Sequence, residues 1–164
     1  MMVLAAGPAS AERPVPDMLN SPITQSFITE VSVTGILLVD TSQVVLDRSL
    51  NGNVKSFAAK VIEAQAKIDA ALKAALTQDQ KQYLGTSLKT RRGMGAASLM
   101  RAKPEMLDKS YLRLQADTLE DEILSYRRYA KQGDDDKLKA FAAEMLPVLE
   151  ELGASIEGMN AVRK

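Results

Sequence analysis

The chain has 164 residues, enough to close one hydrophobic core and too few for two comfortable ones. Its 21 Lys and Arg balance 21 Asp and Glu, so no net field draws it to nucleic acid, and none is expected as a partner. Cys and His are both absent, which removes thiol chemistry, disulfides, iron–sulfur ligation, the common borderline metal ligands and the usual acid–base group near neutral pH.

Residues 1–11 are short, apolar and uncharged and end in Ala9-Ser10-Ala11, the small-x-small pattern at which a signal peptidase cuts. They read as the tail of a secretory signal, with a mature start near Glu12 and a periplasmic or secreted destination, the alternative being a small-residue disordered terminus. Glu12 to Ser21 carries Pro14, Pro16 and Asn20 without periodicity, a flexible lead-in, so residues 1–21 stand apart from a single domain at 22–162. No window reaches the roughly 18 apolar residues of a spanning helix, and no transmembrane segment is expected.

Ser21-Pro22 supplies an N-cap and a first-turn proline, and a helix is predicted to about Leu50 with Phe27, Val31, Leu38 and Val45 inward. The β-branched run from Val31 to Val39, with Gly35 inside it, also suits a strand. Asn51-Gly52-Asn53 should stop this helix with a left-handed cap and start the next through Asn53. The second helix has the clearest seam: Val54, Phe57, Ala58, Val61, Gln65, Ile68, Leu72 and Ala75, with one polar member. Thr77 to Gln80 has the form of a capping box, so a short helix with Tyr83, Leu84 and Leu88 should follow.

Pro104 opens the next long helix, whose inner positions are predicted as Leu112, Ala116, Leu119, Ile123, Tyr126 and Ala130, with Asp117, Glu120, Asp121 and Glu122 facing out. After Gly133 as cap, the last helix has a narrow stripe of Leu138, Phe141, Met145, Leu149, Leu152, Ile156 and Met159. Such a stripe seeks other helices, so the fold class is all-α: a four-helix bundle of two αα-hairpins joined by a long link with short helical pieces. Up-down-up-down and ferritin-like connections are both open. Phe57, Leu138, Phe141 and Leu149 are the expected core anchors.

The patterns that could carry chemistry are weak. Glu30, Asp40, Glu63, Glu120, Glu144 and Glu151 are available to bridge metals, but without His no Glu-x-x-His pair can exist, and these acids read as a solvated face. Asp134-Asp135-Asp136 reads as a helix cap rather than a calcium loop. Arg127-Arg128 and Lys89 to Arg92 read as surface, and Met94, Met100 and Met106 as cover for an apolar seam rather than a copper site. No Gly-x-Ser-x-Gly elbow is present. No catalytic, cofactor-binding or metal-binding residue is therefore expected, and no cofactor.

Val54-Lys-Ser-Phe57-Ala58, then Leu107-Asp108-x-x-Tyr111 with Gln115, then Lys139-Ala-Phe141-Ala142 and Leu146-Pro147-Val-Leu149 resemble, in order and spacing, the bacterial "predicted outer membrane protein" family, domain of unknown function 4142. The likeness covers about residues 23–160. It implies a ferritin-like bundle, usually exported, without an established biochemical role, and a proline kink at Pro147. The resemblance also implies a degenerate site. Relatives carry an acid–His pair where this chain has Ala64-Gln65, and His where it has Leu119 and Leu152. An amide and two leucines cannot hold a divalent cation, so Gln65 should bond a backbone carbonyl, Thr34, Thr41 or a buried water. The expected function is a non-enzymatic envelope or stress-related bundle. The alternatives are a metal-binding or redox ferritin-like protein and an envelope-lipid binder. A protein partner and self-association are both left open.

Overall fold

The computed structural model describes residues 21–88 and 95–161. Among them are six helices and no strand: α1 (Pro22–Arg48), α2 (Gly52–Ala75), α3 (Gln78–Leu88), α4 (Ala97–Met100), α5 (Pro104–Gln132) and α6 (Asp136–Ala161). The run from Val31 to Val39 is thus helical, because its one buried face packs while the branched residues between stay half-buried. The caps follow local chemistry. Ser21 accepts from Thr24 N–H, and Thr77 and Gln80 exchange side chain to backbone bonds of 2.9 and 3.3 Å, the reciprocal pattern of a capping box.

Two caps differ from expectation. α1 stops with Ser49 in extended backbone, and Asn51 rather than Asn53 caps α2, accepting from the N–H groups of Asn53 and Val54. No left-handed residue is needed at either point, since the chain turns through extended conformations. Gly133 is extended as well, with φ −60° and ψ 154°. Its value is space, because a Cβ there would lie 2.5 Å from the Tyr129 ring. α6 runs on through Pro147, which leaves the Ala143 carbonyl without its helical donor.

Side chain bonds between helix ends decide the connection. Thr24 at the start of α1 meets Tyr129 at the end of α5, and Ser49 after α1 donates to Asp108 at the start of α5, so α1 and α5 are antiparallel. Since each hairpin is antiparallel, α2 and α5 run the same way, and residues 76–103 must recross the full height of the bundle. That is the ferritin-like order, with α1 beside α2 and α5, and α6 beside the same two. α3 lies along α1, and Arg48 fastens the end of the link by donating to the carbonyls of Leu99, Met100 and Ala102 at 2.7 to 2.9 Å.

By length and composition alone α1 is apolar enough to cross a membrane, contrary to the expectation from the sequence. Its apolar character is not an uninterrupted run, because Thr, Ser and Gly are spaced through the helix. In the bundle it is a core helix: Phe27, Ile28, Val31, Leu38 and Val45 are buried, and so are Thr24, Thr41 and Ser42, each hydrogen-bonded.

The core runs the length of the four long helices. Phe57, Leu138, Phe141 and Leu149 are all buried in it, and Phe27 stacks on Tyr129 while meeting Tyr126 and Phe141 edge-on. The acidic run closes the end. Asp134 accepts from Ser21 and Thr24, which hold its carboxyl below the usual range, while Asp135 caps α6 through Leu138 N–H. A depressed carboxyl stabilises the fold above its unfolded pKa and loses that contribution as pH falls through the folded value. Thermal melts should therefore show wild type losing stability below about pH 4 more steeply than Asp134→Asn. Equal slopes would mean that the lock is not electrostatic.

Candidate functional site

The inner face of α5 is set by two interleaved rows seven residues apart: Leu112, Leu119 and Tyr126, and, three residues on from each, Gln115, Glu122 and Tyr129. Both rows are buried. Glu122, expected outside with its acidic neighbours, is therefore inside the bundle at 3 % exposure, while Ala116, Ile123 and Ala130, expected on the inner stripe, are only half-buried. The second row carries polar groups into the core in chain order.

Gln115 and Glu122 meet different fates. The Gln115 amide donates to Thr41 Oγ1 at 2.9 Å, and the neighbouring Tyr111 hydroxyl pairs with Ser42 at 2.8 Å, so this level is knit to α1. One turn below Leu119, neither oxygen of Glu122 has a protein hydrogen-bond partner, and the Tyr126 hydroxyl has none. Burial pushes the Glu122 carboxyl up to about 8, and the charges of Glu30 on α1 and Asp69 on α2 add to the shift. It is a neutral acid at pH 7. Burial raises the Tyr126 phenol too, with Glu122 and Asp69 reinforcing it.

Gln65 comes to this region from α2. It is 1 % exposed and both its amide atoms lack a protein partner, so neither Thr34 nor Thr41 serves it; Thr41 is held by Gln115. Its Oε1 sits over Gly35 of α1, where an added Cβ would lie 2.9 Å away, with Asp69 Oδ1 at 3.9 Å from the same point. Gly35 is small because an amide needs the room. Of the other two positions where the family likeness places histidines, Leu119 is buried on α5, and Leu152 is buried on α6, where it borders an open α2–α6 groove with Ala64, Glu63 and Glu151. The buried acid thus stands one helical turn from Leu119, on the same face. The heptad offset from Gln115 was the sequence signal for it.

The remaining sequence features fall elsewhere. Arg127 pairs with Glu150 across the α5–α6 seam at 2.7 Å, with both side chains nearly half-exposed, and Arg128 borders a groove of about 430 Å³ between α1 and α5, with Phe27, Glu30, Ser125 and Tyr129. Met100 and Met106 point outward rather than covering a seam; Met94 and Lys89 to Arg92 lie outside the described residues.

A ferritin-like fold readily implies a carboxylate-bridged metal pair, and the residues present do not fit one. Histidine is absent, and among the described residues no three acids are grouped closely enough to hold an ion. What the arrangement can do chemically is hold a proton on a buried carboxyl one turn from a buried phenol. No curated protein and no solved structure matches the chain. Over residues 9–159, however, it matches the family model described as Domain of unknown function (DUF4142), and with that span and the helical bundle in place the chain belongs to this family.

Proposed function

We propose that this is an exported, non-enzymatic bundle that works through its surface, in contact with another component of the bacterial envelope or in tolerance of stress there. The observation that carries the reading is a contrast between inside and one end. The interior at the level of the family positions is filled by Gln65, Leu119, Leu149 and Leu152, all buried. At the end where α1 passes into α2 and α5 begins, Leu50 is 101 % exposed, and Met100 and Met106, near the same end, are exposed too. Isolated apolar side chains need no explanation, but several at one tip mark a contact surface. A chain without Cys or His, with its buried Glu122 carboxyl bonded to no other side chain, supports surface action over catalysis.

Export is the testable part. The reading frame extended upstream and expressed in a bacterial host should release the protein by osmotic shock, with a mature terminus at Glu12, because Ala9-x-Ala11 precedes a charged, proline-bearing segment. An intact Met1 in the cytosolic fraction would remove the envelope from the reading.

A further inference from the structure

Five of the buried polar atoms without a protein partner belong to three side chains, Gln65, Glu122 and Tyr126. All three are 3 % exposed or less, and they come from α2 and α5, which lie across the diagonal of the bundle. Native interiors carry few such atoms, and each costs free energy unless water or movement relieves it. The groups that act on Glu122 are all of one sign. Glu30 reaches it from α1 and Asp69 from α2, Tyr126 sits one turn along its own helix, and the described residues that α6 buries, Leu152 and Ile156 among them opposite this stretch of α5, are all apolar. Arg127 is engaged with Glu150 on the outer seam, and Arg128 lies on the rim of the α1–α5 groove.

We propose that Glu122 is a proton-operated latch of the core: as the neutral acid it is accommodated among α1, α2 and α5, and on losing its proton it parts α1 from α5 at this level and draws water in. A carboxylate there would act against two more carboxylates and would accept no hydrogen bond as the side chains stand, since neither the Tyr126 hydroxyl nor the Gln65 amide bonds it, and a buried unpaired charge is more costly than a local opening. The way out is already shaped. Ser125, three residues from Glu122, and Glu30, whose charge acts on it, both line the α1–α5 groove of about 430 Å³. The Phe27 and Tyr129 rings, stacked 3.9 Å apart, line the same groove and bridge α1 to α5 there. The proton passes to bulk water and nothing else is exchanged. With the carboxyl pushed up to about 8, the change falls in mildly alkaline conditions rather than acid ones. The inference is independent of where the chain works.

The sign follows from linkage. A carboxyl raised in the folded state gives stability that is whole below its unfolded pKa and declines as pH rises to the folded value, levelling off beyond it. The experiment uses the full chain at pH values from about 6 to 10, following the Glu122 carboxyl by carbon NMR and amide exchange along residues 119–130, corrected for the intrinsic base dependence. The expected result is a titration near the alkaline value and a fall in protection of about ten-fold as pH rises towards it, levelling off beyond, in wild type and absent in Glu122→Gln, which keeps the shape and cannot ionise. Titration in the ordinary carboxylate range overturns the proposal, as does an alkaline titration with protection unchanged. Should Glu122→Gln not fold, the two wild-type measurements decide the matter alone.

Discussion

Replacing Leu149 with Ala lowers the unfolding free energy by about 2–5 kcal/mol, and Leu152→Ala costs nearly as much. Leu149 is wholly buried in the middle of the α6 stripe, between the anchors Phe141 and Met145 on one side and Ile156 on the other. Truncation removes the transfer energy of the lost methyl groups and leaves a hole that four packed helices cannot collapse around. Leu152 lies at the edge of the α2–α6 groove, so part of its cavity can fill from outside and its loss falls toward the lower end of the range. Urea melts with unchanged slope measure both. A loss under about 0.5 kcal/mol, the usual size for surface sites, would place these side chains outside the core.

The second large effect is at Gly35. A glycine inside a helix costs about 0.5–1 kcal/mol relative to Ala, so its presence in the middle of α1 requires a reason. The Gln65 amide supplies one, since a Cβ at position 35 would approach its Oε1 to 2.9 Å and Asp69 Oδ1 to 3.9 Å. Gly35→Leu would force a whole side chain into that gap and should destabilise by about 3 kcal/mol, the upper part of the range for overpacking. Gly35→Ala meets only the end of a flexible side chain and should sit near neutral. In a Gln65→Ala background the same Gly35→Ala change should gain stability, giving a coupling of about 1 kcal/mol in a double-mutant cycle. Strict additivity would show that something other than Gln65 fills the space.

How far the sequence led can be seen helix by helix. The α6 stripe was legible because every inward residue is apolar and spaced by three or four, which leaves one orientation that buries them all. The same holds for α2, including its polar Gln65. In α5 the apolar pattern places the inward face a notch off. Its inward row is half polar, and Glu122 follows Glu120 and Asp121, so a local reading takes three acids together as a wet face. Only the seven-residue offset linking Gln115, Glu122 and Tyr129 separates one acid from the other two, and an apolar template does not look for it. The crossover was undecidable from lengths alone, because a link of that size can span a bundle or fold back beside it. Its direction comes from pairings as distant as Thr24 with Tyr129 and Ser49 with Asp108, which no local pattern encodes. Arg48 gave no sign either; its partners are carbonyls, and any stretch of chain has those.

That crossover also shapes how the molecule assembles. Each hairpin closes through a tight connection, residues 49–51 and 133–135, so its contacts are near in sequence and form early. The contacts of α1 with α5 and of α2 with α6 join partners that the 76–103 link holds far apart along the chain, and they come only when two half-built hairpins dock. Doubling such a link adds only about 0.6 kcal/mol of closure entropy, so residues there are free to vary in number as long as the Arg48 fastening at the far end is kept. Docking of the two hairpins is therefore the step expected to limit folding, and truncating Phe27 or Tyr126 at the shared seam should slow refolding more than it speeds unfolding.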